Sequence, residues 1–361
     1  MGHVYIVAEV GVNHNGSLER AKEMIETAAR AGVDAVKFQL FSTGQLMVHD
    51  APKAPYQLET TGISGSQYDM TKIYELSHED QVVLQRECRL HKVDFLSTPF
   101  DEGSLQVLVD ICDVSTLKIP SGEITNARFL MMAGGTGRKI ILSTGMSTLG
   151  EVEMALGVLA YGATVSHVRV PADCRDFLKA FSSDEGQVYL QEHVMLMHCT
   201  TEYPAPFDSV NLCCMDTLRD AFRLPVGYSD HTPGIAIALA AAARGAAIIE
   251  KHFTLSRNLP GPDQKASIEP SELRELVSGV RQIELSLGNG IKIPSEAEER
   301  NIDVVRKSLV AQSDIHAEEV FSETNLTAKR PGTGISPMRY GEFLGRKAGR
   351  DYRKDEMIQF E

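Results

Sequence analysis

HVMLMHCTTEYPAPF, residues 193–207, joins a short apolar run to a histidine, a string of polar residues and a proline-stiffened loop. Val194-Met195-Leu196-Met197 reads as a buried strand, and a side chain at the carboxyl end of such a strand is well placed to enter a site. The same form recurs nearby, where Pro225-Val226-Gly227-Tyr228 runs into Ser229-Asp230-His231. Two histidines so delivered, His198 and His231, can hold one metal ion.

Working outward, eight such runs can be picked out, at 4–10, 35–41, 94–100, 116–122, 139–145, 193–199, 225–231 and 246–253. They are β-branched, apolar in the middle, and spaced by segments long enough for a crossover helix. This eightfold alternation predicts a TIM (β/α)8 barrel, an α/β fold. Several helices are legible between the strands. Ser17 caps one that carries Leu18, Ala21, Met24, Ile25 and Ala28 and stops at Gly32. Another starts at Ser77 with acidic residues in its first turn, which suits the helix dipole. Others are expected over 151–159, 235–244 and 271–287.

Two connections are too long for plain helices. Residues 42–76, with Pro52, Pro55, Gly62 and Gly65, predict an excursion over the barrel mouth. Residues 163–192, containing Pro171 and the polar run Ser182-Ser183-Asp184-Glu185, predict a surface insertion with no assigned role. The barrel is expected to occupy 1–287, followed by a charged linker, 288–300, and a small mostly-β module, 301–361.

Composition narrows the function classes. Apolar residues make up 43% of the 361, enough for a sizeable core. A net charge of −13 and a pI near 5.4 argue against nucleic acid and against an anionic membrane as partners. No apolar run of transmembrane length is present, and Met1-Gly2-His3 leads into a strand without a secretory leader. The six cysteines show no Cys-x-x-Cys pair. A soluble cytoplasmic protein with reduced thiols is expected.

In a barrel of this type the strand ends form one pocket. They contribute Glu9 and Asn13, Lys37 and Gln39, Thr98, then Lys118, Ser121 and Glu123, then Ser143, His198, Ser229 to His231, and Glu250 with His252. Lys37 and Lys118 each lie inside an apolar run, where an unpaired ammonium is costly. With Ser121 and Ser143 they can form an anion pocket of phosphate type. The same lysines can instead pair with carboxylates to satisfy the core, or one can serve as a Schiff-base amine. A lone histidine at a strand end is more often a hydrogen-bonded core or rim residue than a metal ligand. Glu9 and Glu123 are the candidate acids and bases, and His252 is either a further proton carrier or buried support.

Ten segments in order carry a closer resemblance: AEVGVNHNGS (8–17), KFQLF (37–41), FLSTPFD (95–101), LKIPSGEITN (117–126), ILSTGM (141–146), HCTTEYPAPF (198–207), GYSDHT (227–232), EKHFTL (250–255), GPDQKAS (261–267) and KRPGTGISP (329–337). Together they resemble the sialic acid (nonulosonate) synthase family, and the last segment resembles its antifreeze-like SAF domain. The resemblance implies condensation of phosphoenolpyruvate with an N-acetylated mannosamine-type sugar, releasing phosphate and forming a nine-carbon 2-keto acid. It implies His198 and His231 as ligands of a divalent metal, Mn²⁺ or Mg²⁺. It places Lys37, Thr98, Lys118, Ser121 and Ser143 around phosphoenolpyruvate, Glu9 and Glu123 at the proton transfers, and Gln39 and Tyr203 on the sugar. It further implies a domain-swapped homodimer in which Arg330 of the SAF lid reaches the partner's sugar. The wording of the motifs favours N-acetylmannosamine or its 2,4-diacetamido-2,4,6-trideoxy analogue, the legionaminic acid branch. The competing reading is a metal-dependent aldolase or sugar-phosphate isomerase on the same barrel, which would release no phosphate. A non-catalytic carbohydrate- or ice-binding module would have no use for the lysines and histidines at the strand ends.

Overall fold

The computed structural model describes residues 2–62, 64–165 and 172–360. The chain divides into two compact units, Met1–Asn289 and Gly290–Glu361.

In the first unit the eight expected strands all form. They are β1 (Tyr5–Gly11), β2 (Ala35–Leu40), β3 (Asp94–Pro99), β4 (Thr116–Ile119), β5 (Lys139–Ser143), β6 (Val194–Cys199), β7 (Val226–Asp230) and β8 (Ile248–His252). Their parallel pairings run β3-β2-β1-β8-β7-β6-β5-β4, and β3 and β4 lie against each other to complete the ring. Both faces of each strand are therefore buried. One face packs outward on the helices, through residues such as Ile6, Phe38, Leu117, Leu142 and Ile249. The other faces the barrel axis, where Val7, Ala35, Leu96, Ile141, Met197 and Ile248 form an apolar plug. Each of the larger side chains stabilises the fold by roughly 1.5–3 kcal/mol on burial.

The helix signals act as read. Ser17 accepts the Arg20 N–H at the start of Leu18–Ala31, and Gly32 ends it at φ 87°. Ala21, Met24, Ile25 and Ala28, at helical spacing, are its buried stripe. Ser77 and Asp80 form a capping box on His78–Leu90, as do Thr148 and Glu151 on Leu149–Thr164.

The two long connections fare differently: 42–76 contributes to the wall of the strand-end cavity, as expected, whereas 163–192 departs from expectation. Residues 42–76 hold three short helices, Thr43–Leu46, Pro55–Thr61 and Gln67–Lys72, packed around the apolar cluster of Val12, Phe41, Met70 and Tyr74. The segment expected as a surface insertion is mostly a second helical layer. Helices Cys174–Ser182 and Asp184–His193 pack on Leu149–Thr164, burying Phe177, Ala180, Tyr189 and Leu190, and the second runs straight into β6. The physical reason is a glycine: a Cβ at Gly157 would come within 2.6 Å of the Phe177 carbonyl oxygen, so that helix face is open to close approach. The part of that segment at 166–171, including Pro171, lies outside the described residues.

The second unit has its own core of Leu309, Ile315, Phe321, Leu326, Tyr352 and Ile358. Its strands β9 (Ser308–Ala311) and β10 (Leu326–Lys329) pair antiparallel. The stretch expected as a charged linker, 288–300, holds the first half of a helix, Glu296–Val305, which Ser295 and Glu298 cap. Among the described residues, no helix is long and apolar enough to cross a membrane.

Candidate active site

Strand alternation decides which side chains reach the axis. Directly above the apolar plug, the inward positions at the carboxyl ends are polar: Glu9 on β1, Lys37 and Gln39 on β2, Thr98 on β3, Lys118 on β4 and Ser143 on β5. On the opposite arc they are Cys199 on β6, Ser229 on β7, and Glu250 and His252 on β8. His231, two residues after Ser229, joins them in lining one cavity of about 320 Å³.

At its floor lies a buried cluster of four charges. Lys37 Nζ is 2.7 Å from Glu9 Oε2 and 3.7 Å from Glu250 Oε2. Lys118 Nζ donates to both oxygens of Glu250 at 2.9 Å. Further bonds hold it rigid: Lys37 donates to Thr98 Oγ1 at 3.0 Å, and the Ser229 hydroxyl donates to Glu250 Oε1 at 2.9 Å. The two carboxylates behave differently. Burial would raise Glu250, but Lys118 and Lys37 outweigh it and hold that carboxyl well below the usual range. Burial dominates at Glu9; Lys37 opposes it, Glu250 adds to it, and the group is pushed up to about 7. Two ammonium groups lining one cavity suit it to an anion.

Ser121 and Ser143 stand beside this cluster. The Gly145 N–H donates to Ser121 Oγ at 2.9 Å. A Cβ at Gly145 would fall within 2.5 Å of Thr201 Oγ1 and 2.8 Å of Ser121 Oγ, so a glycine is needed for the β5 loop to approach this closely.

The second half of the cavity is aromatic. The Tyr203 ring packs at a tilt against His231, with centroids 4.2 Å apart, and against Tyr56 at 5.2 Å. His231 and His252 meet edge to face, with centroids 5.4 Å apart. His231 Nδ1 lies 2.6 Å from the Thr200 carbonyl oxygen, which fixes the proton on Nδ1 and leaves the lone pair on Nε2. Burial pushes His231 down to about 4, against the Thr200 bond, and burial followed by His231 pushes His252 well below its ordinary value, so both rings are neutral. His252 Nδ1 is buried without a hydrogen-bond partner among the described residues and lies 4.0 Å from Asp263 Oδ2. Two neutral imidazoles, one with an orphaned buried nitrogen, suit a divalent cation. No group of three or more His, Cys, Asp or Glu side chains suited to a metal occurs among the described residues, so the other positions would fall to water and substrate oxygens.

The structure therefore brings together Glu9, Lys37, Gln39, Thr98, Lys118, Ser121, Ser143, Tyr203 and His231. Three residues of the same unit that were expected at the site, His198, Glu123 and Asn13, do not line this cavity. His198 takes the outward parity of β6, opposite to Met197 and Cys199; its Nε2 is 2.7 Å from the Val210 carbonyl oxygen, and it lines a different cavity. It anchors the β6 loop, and the histidine facing His231 is His252. Glu123 sits on the turn Ser121–Glu123 and accepts the Asn126 amide at 2.7 Å; it is Glu250 that shares the pocket with Glu9. Asn13 donates to the Phe253 carbonyl and to Ser267 Oγ, tying the β1 loop to the segment carrying Asp263. Arg330 belongs to the second unit, where its Nε donates to the Val305 carbonyl.

Three groups were missed or undervalued in the sequence: Glu250, His252 and Asp263. The available signal was spacing, since Ser229/His231 and Glu250/His252 are both i,i+2 pairs on one strand face. The long 42–76 segment supplies the remaining wall, with Leu46, Met47, Tyr56, Gln57, Met70 and Tyr74.

Known proteins agree with this architecture. Residues 24–292 match the NeuB family and residues 306–361 match the SAF domain. The N,N'-diacetyllegionaminic acid synthase of Campylobacter jejuni is 49% identical over 99% of this chain and 100% of its own length. The enzyme of the same name from Legionella pneumophila is 41% identical over 94% and 89%. The crystal structure of N-acetylneuraminic acid synthetase from Leptospira borgpetersenii superposes with a TM-score of 0.66 at 32% identity, covering 83% of this chain and 90% of that one. A barrel with its polar ring of lysines, carboxylates and histidines, followed by an SAF domain, thus has its place among known enzymes: this chain belongs to the NeuB family.

Proposed function

We propose that this enzyme condenses phosphoenolpyruvate with a neutral N-acetylated mannosamine-type sugar and water, giving a nine-carbon 2-keto sugar acid and phosphate. The observation that carries this reading is one pocket that joins a buried two-lysine, two-carboxylate cluster to a pair of neutral histidines. The cationic half suits phosphoenolpyruvate, with Lys37 and Lys118 holding its charges and Ser121, Ser143 and Thr98 supplying hydroxyl contacts. The aromatic half, with Tyr203, Gln39 and Asp263, suits the open-chain sugar.

His231 and His252 would hold the divalent cation, Mn²⁺ or Mg²⁺, which supplies Lewis acidity toward the sugar aldehyde oxygen. The pocket holds C3 of phosphoenolpyruvate against the aldehyde carbon. As that C–C bond forms, positive character develops at C2, beside the ionised Glu250. Water adds at C2 and passes its proton to ionised Glu9, whose raised pKa makes it an effective base near neutrality. Glu9 returns that proton to the oxygen of the former aldehyde, and the C2–O bond to phosphate breaks as the departing phosphate takes the C2 hydroxyl proton, leaving the ketone. Both lysines are engaged as anion contacts, so no Schiff base is required.

The identity of the sugar rests on the far wall. Its lining includes Leu46, Met47, Met70 and Tyr74, and the pocket's two lysines are taken up by phosphoenolpyruvate. Such a wall favours a deoxy, unphosphorylated sugar such as 2,4-diacetamido-2,4,6-trideoxymannose, in keeping with the names of the 49% and 41% identical relatives. The test is phosphate release from phosphoenolpyruvate with that sugar, N-acetylmannosamine and N-acetylmannosamine 6-phosphate side by side. Release with the neutral sugars is expected. Cleavage of the product sugar acid without phosphate release would support an aldolase and overturn the reading.

A further inference from the structure

Outward-facing strand residues in this barrel are mostly apolar and pack on helices, yet β7 and β8 end in a buried ion pair on that side. Lys251 Nζ lies 2.7 Å from Asp230 Oδ2, and both side chains are fully buried. The pair does not line the cavity. Asp230 and Lys251 are register partners on adjacent strands, and each immediately precedes one of the two pocket histidines. Burying two charges costs desolvation that an apolar pair of similar volume would avoid, so a stability role alone accounts poorly for it.

The bonds around the pair show what it holds. Asp230 Oδ1 accepts the Thr232 N–H at 2.9 Å, the Thr232 hydroxyl at 2.8 Å and the Tyr228 hydroxyl at 3.3 Å. Lys251 also donates to the Thr232 carbonyl. The backbone is thereby tied on both sides of His231, and the lysine held in these bonds is itself the residue before His252. A side chain flanked this way has little freedom to swing.

We propose that Asp230 and Lys251 form a clamp behind the barrel wall that aims His231 and His252 at a common point, making them positioning residues for the divalent cation. This rests on the reading of those histidines as its ligands. The clamp touches neither substrate nor the lysine cluster, so its loss should affect one half of the pocket only.

The test uses the full chain, with Mn²⁺ titrated and free Mn²⁺ read by electron paramagnetic resonance, the visible spectrum of bound Co²⁺ recorded, and folding followed by circular dichroism. Lys251→Met and Asp230→Asn are each expected to weaken Mn²⁺ binding about tenfold or more and to alter the Co²⁺ spectrum. Phosphoenolpyruvate affinity of the metal-free protein should change less than about twofold, and Lys251→Arg should recover part of the Mn²⁺ affinity. Asp230→Asn keeps an acceptor for Thr232 and gives the answer should Lys251→Met not fold. Folded variants that bind Mn²⁺ like the wild type, while His252→Ala does not, overturn the clamp alone. Wild type and His252→Ala binding Mn²⁺ alike overturn the ligand assignment and the clamp with it. Failure of both clamp variants to fold marks the pair as structural and also overturns the proposal.

Discussion

Lys118 and Glu250 meet across the barrel: β4 and β8 are four places apart in the strand order, yet Lys118 Nζ lies 2.9 Å from both Glu250 oxygens. The contact ties opposite walls of the pocket together and keeps Glu250 ionised in a buried site. Replacing Lys118 by Met leaves Glu250 with a cation only at 3.7 Å, on Lys37. Phosphate release should fall by roughly 10²-fold or more. Stability should fall by about 3 kcal/mol, as expected when one partner of a buried pair is removed. A phosphate-release assay and urea unfolding check the two effects separately.

Glu9 is raised to about 7, so its ionised fraction changes across neutral pH. In its proposed role as the base for water at C2 it would act only when ionised. For the wild type, kcat/KM should therefore rise with pH up to about 7 and level off above it. Glu9→Gln should lower kcat/KM by roughly 10²- to 10⁴-fold and abolish that limb. A pH–rate profile of both proteins is the measurement, and a limb that survives in the variant would assign it to another group.

His198 and His252 should exchange the effects expected from motif order alone. His198→Ala removes the contact to the Val210 carbonyl and should cost about 1–3 kcal/mol of stability while leaving Mn²⁺ affinity unchanged. His252→Ala should abolish Mn²⁺ binding and turnover with little change in melting temperature of the metal-free protein. Equal loss of Mn²⁺ binding in both variants would return His198 to the site.

His14 offers a test of acid stability away from the pocket. It is buried, accepts the Gly16 N–H at Nδ1, and is lowered to about 4 from 6.5, chiefly by burial. Between these values the unfolded chain binds the extra proton, so the contribution is complete above pH 6.5 and lost as pH falls toward 4. The loss amounts to about 3 kcal/mol. His14→Asn should flatten the difference between unfolding free energies measured at pH 7 and pH 4 by about that amount.

The eight strands and the Ser17 and Ser77 caps were legible because each is a local property, set by a few neighbouring residues. His198 was misplaced because β6 is apolar on both faces: Met195 and Met197 point inward while Val194 and Leu196 point outward, so no alternation marks the site-facing side. The helical packing of 172–193 was hidden for a different reason, since it depends on what Gly157 leaves open on another helix.

The sequence by itself determined the barrel, the separate C-terminal unit, and a polar ring at the strand ends that contains both lysines. Only the tertiary structure decided which members of that ring share the pocket. Lys118 and Glu250 are 132 residues apart in the chain, and the parity that sends His252 inward and His198 outward is set when the ring closes around its apolar plug. Periodicity is encoded locally, but phase relative to the axis and distance across it are consequences of closure.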